Sequence, residues 1–140
     1  MPPEPEEPQL SAQIQGFRGK RFECVGGFGG RIEVLVFKDG PDPLVRQQAG
    51  RTTYDSVTLQ SIQTGEPMLW KWWRTAGTGV ESRRTVTLAL TDARGKALAT
   101  WRLGGCWPRD WSVTPVEAAD RTAGYAERVA LVVEDIELVS

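Results

Sequence analysis

The sequence contains no histidine among its 140 residues. Histidine is the commonest general base and metal ligand in proteins, so Ser-His-Asp and Cys-His catalytic arrangements are excluded. The two cysteines, Cys24 and Cys106, lie far apart without a C-x-x-C pair, which predicts two reduced, partly buried thiols and no zinc site. The glycine-rich segment 26–30 lacks the spacing and the lysine of phosphate-binding loops, which predicts a turn. We therefore expect no catalytic residue, no metal, no cofactor and no enzymatic activity.

The sequence also lacks long apolar runs and a strong net charge. No run approaches the roughly 20 apolar residues that span a bilayer, so we expect no membrane insertion by the monomer. The formal net charge of -1 does not favour nucleic-acid binding. Residues 1–9 are acidic and proline-rich, unlike a signal peptide, which predicts a disordered tail and synthesis in the bacterial cytoplasm. The remaining length, 10–140, suits a single domain with a real core.

Alternation of apolar and polar residues predicts about six to eight antiparallel strands. The strands are expected at 10–17, 21–25, 31–37, 53–62, 83–91, 96–103 and 125–138. Few apolar residues lie in 38–52, which predicts a long loop. One helix is expected at 66–76, with a core-facing stripe formed by Met68, Leu69, Trp72, Trp73 and Ala76. These elements predict a mainly β fold, a small antiparallel β-barrel or sandwich with one α-helix.

Three of the six tryptophans lie between residues 99 and 111. A tryptophan must bury large rings and still find a partner for its indole N–H, so the W-P-x-x-W sequence predicts a built corner after a strand. The expected core anchors are Trp72, Trp73, Trp101, Trp107 and Trp111. Asp110 lies among these rings, but the sequence singles out no second carboxylate for a glycosidase, and a turn cap is favoured. A monomeric carbohydrate- or peptide-binding β module remains an alternative if Trp70 or Trp111 is exposed on a concave surface.

Five segments share an order and spacing with a known family. They are GRTTYDSVTL at 50–59, MLWKWWR at 68–74, the hairpin region 83–101, WPRDW at 107–111 and the closing stretch 127–138. Together they resemble the tail-tube proteins of contractile-tailed phages and phage-derived contractile injection particles. That family is related in fold to the tube protein of type VI secretion. The short first strand and the segment 37–42 depart from the family pattern.

The resemblance implies a structural protein that forms hexameric rings, stacked into a rigid hollow tube inside a contractile sheath. The implied partners are further copies of the chain, the sheath protein, baseplate or tube-initiator proteins, tail-terminator proteins, and cargo or DNA in the lumen. A specialised tube-initiator ring at the baseplate is an alternative. The resemblance fits a virion tail and an injection particle equally.

Two sets of site residues follow from this interpretation. The loop is expected to contact an adjacent ring or subunit through Lys38, Asp39, Gly40, Pro41, Asp42, Pro43 and Arg46. Strand alternation places Ile32, Val34 and Val36 toward the core. The residues expected to face the lumen are Arg31, Glu33, Thr85, Thr87, Thr100 and Arg102. They predict a polar channel of weak net charge.

Overall fold

Over most of the chain, the segments in which apolar and polar residues alternate form β-strands. The structure, a computed structural model, describes residues 8–38, 40–41, 43–117 and 123–139. These residues form nine strands and one helix. The elements are β1 (Gln9–Ile14), β2 (Phe22–Val25), β3 (Gly30–Lys38), β4 (Val45–Tyr54), β5 (Val57–Gln63), α1 (Trp70–Gly77), β6 (Arg84–Thr91), β7 (Ala97–Glu117), β8 (Ala123–Val132) and β9 (Asp135–Leu138). The acidic tail predicted at 1–9 lies almost wholly outside the described residues, and the single domain over 10–140 stays a prediction.

The larger sheet closes on itself. Its strand order is β6-β1-β2-β5-β8-β7-β9, and β6 also pairs with β7, so six strands form a ring and β9 is added to β7. Every pairing is antiparallel. Closure gives each ring strand two neighbours and so removes most free edges. The predicted mainly β fold with one helix is confirmed.

The core fills the inside of this ring. Alternate residues of β5, β6 and β8 point inward, and the members of this set are at most 1% exposed. They are Val57, Leu59, Val86, Leu88, Val129 and Leu131. Helix α1 packs against β7 and adds Leu69 and Trp72 to the same core. Burial of the inward set gives the main stabilisation, since each such side chain contributes about 1.5–3 kcal/mol.

The helix is shorter than the sequence pattern predicts. It begins at Trp70 rather than Glu66, with Leu69 as a cap that has no side-chain hydrogen bond of its own. The reason is tertiary, because the Leu69 N–H donates to the buried Glu127 carboxylate at 3.0 Å. The expected stripe is otherwise found, with Leu69 and Trp72 buried and Met68 half-buried. No helix in the described ranges is long and apolar enough to cross a membrane.

The long loop predicted at 38–52 is wrong. Residues Val45–Tyr54 form β4, which pairs with β3 in a separate two-stranded sheet. We call this hairpin, residues 30–54, the arm. The sequence does not predict β4, because its side chains do not alternate between core and solvent. The strand is held instead by cross-strand hydrogen bonds to β3. Asp39 and Asp42 lie outside the described residues.

The expected core orientation of β3 is also wrong. Ile32, Val34 and Val36 are 57%, 59% and 61% exposed, because the arm extends away from the core and both of its faces meet solvent. Their alternation does place them on a common face, as predicted.

The tryptophan-rich corner is a strand rather than a turn. Trp107 and Trp111 lie within the 21-residue strand β7, and a bulge between Pro108 and Asp110 shifts its register. Just before this bulge, between Cys106 and Trp107, β7 exchanges β6 for β8 as its partner. The predicted closing strand is likewise divided into β8 and β9, since the Glu134 N–H donates to the Gly104 carbonyl instead of continuing the ladder.

Candidate functional site

The arm presents an apolar stripe that its own domain leaves uncovered. Cross-strand register puts Ile32, Val34, Val36 and Val45 on one face, each between 57% and 61% exposed. The opposite face carries Leu35 and Phe37 among polar neighbours. A two-stranded hairpin alone is marginally stable in water, and a contiguous exposed apolar patch marks an interaction surface. The arm is therefore the strongest candidate for an assembly contact.

The base of the arm is closed by contacts between the ends of its two strands. The Asp55 N–H donates to the Gly29 carbonyl at 2.9 Å, and Arg31 lies 3.7 Å from the Asp55 carboxylate. Both charged side chains are well exposed, so this ion pair adds little stability. At Gly50 a Cβ would lie 3.0 Å from Leu35 Cγ and 3.2 Å from the Glu33 carbonyl, so a larger residue at this register shift would crowd β3.

The predicted contact residues occupy the outer end of the arm. Lys38 ends β3 opposite Val45, and Arg46 lies opposite Phe37. Gly40, Pro41 and Pro43 are exposed at the tip, where Gly40 adopts a φ of 57°. The structure therefore brings together the described members of the predicted set. Their role in contacts between subunits stays a prediction.

Four of the predicted lumen residues share the outer face of the closed sheet. Thr87 on β6 lies opposite Arg102 on β7, and Thr100 lies two residues away on the same face. Thr85 precedes the fully buried Val86 on β6. Arg31 and Glu33 are not brought to this face, because they belong to the arm. That the face lines a channel stays a prediction.

An open groove of about 1000 Å³ runs over the outer face of β1, β2 and β6. Its floor is built from short or polar side chains that include Ser11, Gln13, Glu23, Thr87 and Ala89. Sequence reasoning did not single out Ser11, Gln13 or Glu23 for this face. Their alternation with buried Ala12, Phe22 and Cys24 was the available signal, but assigning them to the same surface as Thr87 requires the strand pairing.

Glu127 joins three elements from inside the protein. Its side chain is fully buried and accepts hydrogen bonds from the Gln63 amide, the Leu69 N–H at 3.0 Å and the Trp111 indole N–H at 2.8 Å. A buried carboxylate is tolerated only when donors surround it in this way. The network fastens the start of α1 to β5 and β7. Sequence analysis placed Glu127 in the closing strand without predicting this role.

The family assignment rests on a sequence match over nearly the whole described fold. The family model of the T4-like virus tail tube protein gp19 matches residues 9–137. The chain belongs to this tail-tube family. The resemblance drawn from the five segments is thereby confirmed. No curated protein sequence matches the chain significantly.

Solved structures share the fold of this tail-tube protein at low sequence identity. A chain in the six-fold symmetrised cryo-EM structure of the anti-feeding prophage baseplate has a TM-score of 0.68 at 14% identity, covering 100% of this chain and 97% of that one. A chain of the extracellular contractile injection system PVC, in its extended sheath–tube complex, has a TM-score of 0.67 at 18% identity, covering 94% and 88%. Hcp1 from Salmonella typhimurium has a TM-score of 0.60 at 11% identity, covering 94% and 85%.

The tryptophans of this tail-tube protein are engaged with one another and with the backbone. Trp73 stacks on Trp111 with ring centroids 5.8 Å apart. The Trp73 indole N–H donates to the Arg109 carbonyl at 3.1 Å. Trp72 is 3% exposed, whereas the other expected anchors, Trp73, Trp101, Trp107 and Trp111, are half-buried.

Trp70 is the most exposed tryptophan, at 40%, and the Arg74 guanidinium lies 5.5 Å from its ring centroid. No tryptophan is among the described residues that line the groove. This arrangement does not favour the carbohydrate-binding alternative, which needs an open tryptophan face on a concave surface.

The two cysteine thiols are buried and are expected to be poorly reactive. Burial raises the pKa of the Cys106 thiol to about 12 and also raises that of Cys24. A protonated thiol is a poor nucleophile, so neither cysteine has the environment of a reactive site. Among the described residues, acidic and thiol side chains form no group of three that could hold a metal ion.

Proposed function

We propose that this tail-tube protein is a structural, non-enzymatic subunit that forms hexameric rings, which stack into the hollow inner tube of a contractile tail or injection particle. The arm carries this proposal. The apolar stripe of the arm is exposed on an isolated subunit. The chain's membership of the tail-tube family supplies a reason for repeated contacts between copies of the chain. Heterologous contacts that close produce a ring, and axial contacts that do not close produce a filament. The six-fold symmetrised baseplate structure supports six subunits per ring.

The arm is proposed to reach an adjacent ring or subunit through the end that carries Lys38, Gly40 and Arg46. Asp39 and Asp42 belong to the same proposed contact. A neighbour covering the stripe would remove about 25 cal/mol of unfavourable hydration for each Å² of apolar surface buried. The polar outer face that carries Thr85, Thr87, Thr100 and Arg102 is proposed to line the channel.

The proposed partners follow from the assemblies in which structural neighbours occur. These assemblies are a baseplate, a tube-terminating cap, a sheath–tube complex and a sheath/tube terminator. We extend to this chain contacts with a sheath, a baseplate and a terminator, together with passage of cargo or DNA through the lumen. Synthesis in the bacterial cytoplasm precedes assembly.

A second candidate function is a tube-initiator ring. The similarity to a baseplate chain, whose length is covered to 97%, supports it specifically. An initiator would form single rings and nucleate tubes of another protein, whereas the main tube protein would form long tubes by itself. Electron microscopy of the purified chain separates these two functions.

The arm hypothesis has a matched pair of variants. Val36→Asp places a charge on the apolar stripe, and Gln48→Asp places the same charge on the opposite face of the same hairpin. Both positions are exposed, so both variants should fold with wild-type thermal melts. We expect Val36→Asp to remain monomeric in size-exclusion chromatography, while Gln48→Asp assembles. Long tubes of Val36→Asp would refute the role of the stripe, and a wild-type chain of about 15 kDa that never assembles would refute the proposed function.

A further inference from the structure

A continuous row of side chains crosses every strand of the closed sheet on its outer face. Directly opposed residues of an antiparallel pair point to the same face. Starting at Thr100 on β7, the register leads through Ala89, Ser11, Glu23, Gln60 and Arg128. The groove covers the middle of this row, at Ala89, Ser11 and Glu23.

The charged end of the row is a hydrogen-bonded ladder. The Arg128 guanidinium donates from Nε to the Gln60 side-chain oxygen at 3.2 Å, with a second bond from Nη2. The Gln60 amide donates to the Glu23 carboxylate at 3.3 Å. Neighbouring strands are about 4.8 Å apart, so the ladder holds the Arg128 guanidinium about two strand spacings from the Glu23 carboxylate. Gln60 turns both charged groups toward each other across β5.

Glu23 is the carboxylate of this row, and Asp92 is a second carboxylate among the residues that line the groove. Arg21 also lines the groove, and the next cation along the outer face, Arg102, has its own partner in Glu137 at 3.7 Å. A cation with a nearby carboxylate attracts a polyanion less than an isolated one does. In a hexameric tube each side chain is repeated in every subunit of every ring. Loss of Glu23 would therefore add about six positive charges per ring, a dense array of the kind that binds phosphates.

We propose that Glu23 determines the selectivity of the channel, balancing Arg128 and Arg21 so that polyanionic cargo moves through without being retained. This inference rests on the proposed function, because it takes the groove face as the channel wall. Its chemical class of ligand is the phosphate backbone of a nucleic acid, whose retention depends on uncompensated guanidinium groups.

The test uses assembled tubes and a fluorescent oligothymidylate that is sedimented with them. Glu23→Gln keeps the shape of the side chain and its hydrogen bond with Gln60 while removing the charge. We expect these tubes to retain several-fold more oligothymidylate than wild-type tubes at low salt, with the difference lost at high salt. Glu66→Gln removes the same charge at an exposed position outside the row and should leave retention at the wild-type level. The double variant Glu23→Gln/Arg128→Gln should return toward wild type.

Equal retention by the Glu23→Gln and Glu66→Gln tubes would overturn the inference while leaving the tube itself intact. Strong retention by wild-type tubes would overturn it as well. Gln13→Cys, exposed in the groove, tests the placement of the face. In tubes it should react with a small maleimide but not with a maleimide attached to a globular protein. Reaction with both reagents would place the groove outside and refute the inference alone, whereas a failure to form tubes would refute the proposed function too.

Discussion

The buried Glu127 network offers a direct measure of what holds the helix to the closed sheet. Glu127→Ala would leave the Leu69 N–H and the Trp111 indole N–H without their acceptor, both at buried or half-buried positions. Each unsatisfied donor costs about 1–3 kcal/mol. The Gln63 amide lies at a half-buried position from which it can turn toward water, so we do not count it. The expected loss in free energy of unfolding is therefore about 2–6 kcal/mol, a large share of the 5–15 kcal/mol typical of a domain.

Glu127→Gln keeps one hydrogen-bond acceptor at this position and replaces the second carboxylate oxygen with a donor group. The amide oxygen can keep the bond to the Leu69 N–H, but the NH₂ group then faces another donor at Trp111. We expect an intermediate loss of about 1–3 kcal/mol, since a single donor is left unsatisfied. The exposed Glu66→Ala is the matched control and should change stability by less than about 0.5 kcal/mol.

The assay is urea unfolding of the unassembled protein, monitored through its tryptophan fluorescence. A lower midpoint at an unchanged slope reports lost stability rather than a changed denatured state. A double-mutant cycle between Glu127→Ala and Trp111→Phe should give a coupling energy between about 0.5 and 3 kcal/mol, because the two residues share one hydrogen bond. If Glu127→Ala unfolds at the same urea concentration as Glu66→Ala, the network does not fasten the helix and the reasoning is refuted.

Other predictions concern the core, Gly105 on β7, the channel wall and the arm. Trp72→Ala should destabilise the protein by about 3–5 kcal/mol, because the ring is buried; a wild-type melting curve would contradict its packing role. Gly105 lies on β7 between Leu103 and Cys106, where the pairing with β6 shifts register. Gly105→Ala should lower the melting temperature, because Gly105 has a φ of 64° and its added Cβ would lie 2.5 Å from a Glu134 oxygen; an unchanged melt would show that β7 adjusts freely at this position. In assembled tubes, a small thiol reagent should label Thr87→Cys and not Leu88→Cys, and the opposite pattern would shift the wall by one residue. Deletion of 39–46 should preserve the barrel, seen by circular dichroism, but abolish tube growth, and long tubes from this variant would rule out the contact.

Several parts of the structure could be predicted from the sequence because their cause is local. The expected strands 83–91 and 96–103 leave a short connection between them, where the Asp92 carboxylate accepts the Arg94 and Lys96 N–H groups at 2.9 Å. Thr85 and Thr87 were expected on one face of their strand, and they alternate with the buried Val86 and Leu88, because a strand that covers a core has one apolar face. The family was predicted from the order of five segments along the chain, which requires no coordinates.

Other features depended on residues distant in sequence. Helix α1 begins at Trp70 because the Leu69 N–H donates to the carboxylate of Glu127, which lies 58 residues further along the chain. The W-P-x-x-W segment continues as strand because β8 replaces β6 as its partner. The row through Glu23 depends on the pairing of strands from both halves of the chain, which residue spacing does not reveal.

The arm shows most clearly where the sequence stops being sufficient. Alternation established that Ile32, Val34 and Val36 share a face, because successive strand residues point to opposite sides. It did not establish what that face meets, since an apolar stripe is equally suited to its own core and to a neighbouring subunit. The sequence by itself determined the family, the mainly β fold and the partition of residues between strand faces. Only the tertiary structure decided which faces close around the core and which remain exposed, because that choice depends on long-range strand pairing.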